Sequence, residues 1–194
     1  MNTDFSRQHA YALLCEYTSN ESLIKHALAV EAAMLWYANF YGETAAEKWA
    51  LAGLLHDFDY EKYPDPADGK GHPFKGNEIL ASLGYPEDIR RAIMGHAVYT
   101  GVPRDTQMAR VLFAVDELSG LVTASVLVRP DKSIHTLEAP SVIKKMKDKA
   151  FARGCNREEI RQGAQELGLE LPQHITNVIQ AMRGIAADLG LSGL

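Results

Sequence analysis

The sequence predicts an all-α fold. Helical periodicity, with apolar residues at i, i+3, i+4 and i+7, dominates the 194 residues. No segment shows the strict alternation of a half-buried strand, and no hairpin turn joins two such segments. No internal repeat or low-complexity stretch interrupts the pattern. A first helix is predicted over about residues 5–17. A second starts at Asn20, a good cap, and runs to about 41 with Gly42 as its stop. A third runs from about 44 to the doublet His56-Asp57. Pro64, Pro66, Gly69, Gly71 and Pro73 then make residues 58–73 a loop that carries His72. A short helix over 74–83 ends at Gly84, and Pro86 suits the first turn of the next, which runs to about His96. After the break at Gly101-Val102-Pro103, Asp105 is the expected cap of a long helix through Asp116 to about 126. Arg129-Pro130-Asp131 breaks the chain again. Three more helices are expected over about 141–152, 156–167 and 172–189, with Asn156 and Gly168 as cap and stop. The expectation is one domain over 1–194, with core motifs over about 20–125 and a helical extension over about 126–194.

Composition narrows the function. Hydrophobic content of 46% and charged content of 23% are those of an ordinary globular protein. A net charge of −5 argues against binding duplex nucleic acid, which needs a basic surface. No run of eighteen apolar residues exists and the N-terminus lacks the basic-then-apolar pattern of a leader, so no membrane association is expected. Cys15 and Cys155 are far apart and read as thiols of a reducing, cytoplasmic compartment. Apolar helix faces would suit a homodimer.

The chemistry lies in ionisable residues on apolar faces. His26 shares a face with Leu23, Ala29, Val30 and Ala33, and His56 with Trp49, Ala52 and Gly53. His96 continues Ile89, Ala92 and Ile93, and Asp116 continues Ala109, Leu112 and Phe113. Helical spacing turns all four toward the core. A single buried histidine is usually a hydrogen-bonded core residue, and a single inward aspartate a cap or ion-pair partner. Four of them, with Asp57 and His72 at loop positions, point instead to a metal site, because an ion neutralises carboxylates and uses imidazole nitrogens. His9, His135 and His174 fit no ligand spacing, and Lys144, Lys145, Lys147 and Lys149 read as a solvated face.

The order His26, His56-Asp57, Asp116 resembles the H…HD…D signature of the HD-domain superfamily of metal-dependent phosphohydrolases. Ala52-Gly53-Leu54-Leu55-His56-Asp57 is close to its core motif. The stretch from His72 through Gly76 to Ile79-Leu80 is similar to a segment of the HDIG-type subgroup. Ala92-Ile93-Met94-Gly95-His96 and Val115-Asp116-Glu117-Leu118 resemble its later His and Asp positions. The resemblance covers about residues 20–125. It implies a helical bundle in which His26, His56, Asp57 and Asp116 hold one metal, while His72 and His96 hold a second with Asp57 bridging. Where some subgroups carry a further histidine after His96, this chain has Ala97, so His72 and His96 would serve a second ion or contact phosphate directly.

Imidazole and carboxylate ligands suit Fe, Mn, Co, Ni or Zn, with Mg less favoured. One divalent ion with Asp57 and Asp116 is electrically neutral, whereas two leave two positive charges for a phosphate anion. Two ions bridged by an aspartate lie about 3.5–4 Å apart, the spacing used in phosphoryl displacement. The expected activity is cleavage of a small phosphoester, a nucleotide among the candidates, by a metal-activated hydroxide. Asp57, Asp59 and Lys75 are the candidate catalytic residues. Lys75 would bind phosphate. Asp59 would orient water or protonate the leaving group, or else cap its loop through an Asx turn. Arg91 and Arg104 are weaker phosphate candidates, and Tyr60 and Tyr63 either line the pocket or pack the loop. Two other readings fit the same ligands: an HD-fold di-iron oxygenase, and a non-catalytic metal-bound module that senses nucleotides.

Overall fold

The computed structural model describes residues 5–194; residues 1–4, which bear on the leader reading, lie outside them. Among the described residues ten α-helices form and no strand, with one isolated bridge between Ser133 and Ser192. The helices are α1 (Arg7–Tyr17), α2 (Glu21–Phe40), α3 (Ala46–Leu55), α4 (Phe74–Ser82), α5 (Glu87–His96), α6 (Gln107–Leu127), α7 (Ala139–Met146), α8 (Arg157–Glu166), α9 (Leu171–Arg183) and α10 (Ala186–Leu189). None is long and apolar enough to cross a membrane.

The two longest helices, α2 and α6, are each about 30 Å long and cross at the centre. α3 packs along α2, α5 along α6, and α9 rests on both. Gly53 lets α3 approach α2 closely: a Cβ there would sit 2.9 Å from the Val30 carbonyl oxygen and 3.0 Å from the Glu31 Cα. The same close approach carries the end of α3 toward His26 on α2.

Local chemistry explains most helix limits. Asn20 accepts from Ser22 N and Leu23 N, and Asn156 from Glu158 N and Glu159 N. Four limits differ from the sequence reading. α6 is capped by Thr106, which accepts from Ala109 N, because the Asp105 carboxylate is taken by Arg91 at 2.7 Å. Pro86 sits one position before the first turn of α5, with extended backbone. α7 ends at Met146 instead of about 152. Asp148 accepts from Ala150 N there, and the Arg157 guanidinium gathers the carbonyls of Phe151, Ala152 and Cys155. The helix expected over 172–189 breaks at Gly184. Arg183 is drawn onto the carbonyls of Ile134 and Leu137, and α10 then ends at Gly190 with Leu191 N donating to Ala186 O.

His174 joins α9 to the two central helices. It is fully buried; its Nε2 donates to Ala114 O at 2.9 Å and its Nδ1 accepts from the Tyr37 hydroxyl at 2.6 Å. Asn177 donates to the same hydroxyl. Both ring nitrogens are therefore satisfied in the neutral form. Burial pushes the His174 imidazole from 6.5 down to about 4 and the Tyr37 phenol well above its ordinary value. An unfolded chain takes up the His174 proton before the folded one does. This contribution to stability is complete above pH 6.5 and is lost as pH falls through about 4. His174→Phe is expected to cost about 1–3 kcal/mol near neutral pH. The gap to wild type in urea unfolding should close by up to about 3 kcal/mol as pH falls across that window. A gap that does not change with pH contradicts the clamp.

Candidate metal centre

Three of the histidines are aimed by what their Nδ1 atoms touch. His56 follows the last residue of α3 and His96 is the last residue of α5, where the final carbonyls have no helical partner. The His56 Nδ1 donates to Gly53 O at 2.8 Å, and the His96 Nδ1 donates to Ile93 O, three residues back in both cases. A carbonyl can only accept, so each ring carries a proton on Nδ1 and, in its neutral form, presents a lone pair on Nε2. His72 enters from the loop before α4. Its Nδ1 donates to Asp59 Oδ1 at 2.7 Å, which leaves its Nε2 free in the same sense.

These lone pairs converge on Asp57. Its Oδ2 lies 3.4 Å from His56 Nε2 and 3.9 Å from His26 Nε2, while its Oδ1 lies 3.2 Å from His72 Nε2 and 3.4 Å from His96 Nε2. Asp116, from the middle of α6, places Oδ1 at 2.9 Å from His26 Nε2 and 3.4 Å from His56 Nε2. The result is two clusters that share Asp57: His26, His56, Asp57 and Asp116; and Asp57, His72 and His96. Within each, one ligand atom per residue lies within 4.8 Å of the others. All six residues expected to ligate metal are brought together.

The donor set fits a cation. Among the described residues His56 Nε2 is buried with no hydrogen-bond partner, and it faces two carboxylate oxygens. The His72 and His96 Nε2 atoms face one another at 3.3 Å with Asp57 Oδ1 beside them. Neutral rings would set lone pairs against lone pairs here, and positive charge, carried by ring protons or by a metal ion, resolves that conflict. The ionisation of the centre expresses the same demand. Burial opposes charge on His56, but Asp57 and Asp116 outweigh it and push that imidazole well above its ordinary value. His96 is raised in the same way. Burial also opposes charge on Asp57 and Asp116, and the facing histidines outweigh it and hold both carboxyls below their ordinary range. Asp57 keeps 22% and Asp116 19% of its side chain exposed, so the centre opens to solvent on the aspartate side.

The residues around the centre correct several expectations. Asp59 is fully buried with both oxygens engaged, Oδ1 by His72 and Oδ2 by Gly76 N at 2.6 Å. It therefore orients His72, and its full burial sets it away from solvent. Lys75 forms an ion pair with Glu78 at 2.8 Å and makes no hydrogen bond or ion pair with the six. Arg91 pairs with Asp105. Arg104 forks onto Glu166 at 2.6 and 2.8 Å over the Phe113 ring. Tyr63 contributes its carbonyl, which accepts from His72 N, while the Tyr60 ring stands edge-on to His72 at 5.5 Å. Three neighbours escaped the sequence reading. Tyr99 donates to His72 O at 2.8 Å, and burial together with Asp57 and Asp59 pushes its phenol up to about 12. Its position three residues after His96 was the available signal. Glu117 is pushed up to about 7 by burial and by Asp116, its neighbour in sequence. Glu159 is raised by burial and by Asp116, and it comes from α8 with no local signal at all.

Gly76 is the tightest packing point under the centre: a Cβ there would sit 2.8 Å from the Asp59 Cγ. Gly76→Ala should push Asp59 off His72 and weaken metal binding at the His72–His96 cluster by about 10–100-fold. Asp59→Asn, which keeps the volume and loses the charge, should weaken it less. Calorimetric titration with Mn(II), with helical circular dichroism as the check on folding, measures both. Unchanged affinity in folded Gly76→Ala would remove Asp59 from the centre.

No curated protein and no solved structure matches the chain. The family model of the HD domain matches residues 23–121, just over half of the 194 residues. That segment contains every residue of both clusters, and the chain belongs to the HD-domain family.

Proposed function

We propose that this chain is a metal-dependent phosphohydrolase acting on a small phosphoester, with two divalent ions held on either side of Asp57. The observation that carries this reading is the division of labour within one carboxylate: Asp57 Oδ2 faces His26 and His56, and Oδ1 faces His72 and His96. Four imidazoles and two carboxylates favour Fe, Mn, Co, Ni or Zn over Mg. Bound there, a pair of ions would lower the pKa of a water and stabilise charge on phosphate oxygens. The protein's own part is positional. Asp57 fixes the separation of the two clusters. Gly53 O, Ile93 O and Asp59 hold the imidazoles rigid, so little reorganisation is left for the reaction. Tyr60 and Tyr99, both substantially exposed beside His72, flank the way in.

A second reading has one observation in its favour. The cations that sequence offered for phosphate, Lys75, Arg91 and Arg104, are all committed to carboxylates. A phosphate would then rest on the metals alone. An HD-fold di-iron oxygenase uses the same kinds of ligand without needing a phosphate clamp.

Elemental analysis of the purified protein is expected to find up to two ions per chain. His96→Ala should reduce this to one, and folded Asp57→Ala should lose both; full occupancy in folded Asp57→Ala would refute the shared-carboxylate site. Phosphate release from a panel of nucleotides and phosphodiesters with Mn(II) supports hydrolysis. Silence across the panel with every metal, together with substrate-dependent oxygen uptake by the Fe(II)-loaded protein, would establish the oxygenase instead.

A further inference from the structure

Among the described residues the outward side of α2 is apolar and lacks a covering helix. Leu28, Ala32, Leu35 and Trp36 recur at i, i+4, i+7 and i+8, opposite the stripe that faces the core. They form the floor of a groove of about 1130 Å³ between α1 and α3 on one side and α9 and α10 on the other. Phe5 and Tyr11 line it beside Trp36. Its charged residues are Arg7, Glu31, Glu47 and Asp188, three acids against one base. Glu31 is the unusual member. It is 7% exposed, yet ionisable and set in an apolar floor. Its carboxylate accepts from Arg7 Nε at 2.6 Å and from Nη2 at 2.8 Å. Arg7 comes from the rim, with 61% of its side chain exposed and its guanidinium 6.0 Å over the Tyr11 ring. Burying a carboxylate is costly without a cation. Arg7 holds that place through two short bonds from the exposed rim, so another cation would have to exchange with it there.

We propose that this groove is a binding site for an apolar organic cation of the aryl- or alkylammonium class, which replaces Arg7 on Glu31 and lays its body along Leu28, Leu35 and Trp36. Aromatic walls beside acidic groups are the chemistry that selects ammonium heads, by cation–π attraction and charge together. The excess of acids disfavours an anion of the same shape. The site involves none of the six residues of the metal centre and does not depend on what that centre does.

The test follows the Trp36 indole N–H by NMR in the full chain, with benzyltrimethylammonium as the probe and 3-phenylpropionate as its anionic counterpart. A saturable shift with the first and none with the second is expected. Arg7→Ala, which frees Glu31, should tighten the ammonium roughly tenfold, and Glu31→Gln should weaken it at least as much. Because Glu31 is buried, the rim variant Asp188→Asn, which should weaken binding less, guards against a folding artefact. Three results would overturn the site: no saturation at millimolar probe, an equal response to the carboxylate, or a dimer in sedimentation that hides Trp36 and so makes a second copy of the chain the occupant.

Discussion

Everything around the centre follows from one requirement: the Asp57 carboxylate and four imidazole nitrogens point at one another, and only positive charge can hold them there. In ordinary cores polar groups are paired donor to acceptor. Here the donors have been used up on the far sides of the rings, by Gly53 O, Ile93 O and Asp59, and the acceptors face inward. The polar interior is arranged for a cation before any cation arrives. The rigid surroundings, from the close α2–α3 contact at Gly53 to the packing of Gly76 on Asp59, keep those lone pairs from turning away.

The way the ligands are mounted is economical in structural terms. His56 and His96 each sit at a helix C-terminus, where the imidazole satisfies a carbonyl that the helix leaves open and gains its tautomer and direction from the same bond. His26 and Asp116 come instead from within the two long central helices, which hold them at 2.9 Å through their packing. His72 has neither a helix end nor a helix interior to orient it. It needs a buried carboxylate, and Asp59 serves that purpose. The helices after the matched segment also bear on the centre: Asp116 acts electrostatically on Glu159 of α8, and Arg104 ties Glu166 to the Gly95 carbonyl beside His96.

The helices were largely legible because their signals are local. Caps such as Asn20 and Asn156 act within three residues, and apolar periodicity is a property of single elements. Three of the four misjudged limits involve an arginine. Asp105 lost its capping role to Arg91 across a loop. α7 stopped early where Arg157 gathers carbonyls, and the last long helix broke where Arg183 is pulled onto residues 134 and 137. In each of these a long arginine side chain makes hydrogen bonds that helix-local signals do not anticipate.

The sequence by itself determined the helical class, the family likeness and the identity of the six ligand-type residues, because buried histidines and aspartates on apolar faces are too costly to be accidental. The tertiary structure alone decided their relations. It divided Asp57 between two clusters, turned Asp59 from a reacting group into the support of His72, and committed Lys75, Arg91 and Arg104 to carboxylates. Residue type and spacing state what a side chain is able to do. Which of its atoms remain free to do it depends on partners tens of residues away, and only the packed chain brings those partners together.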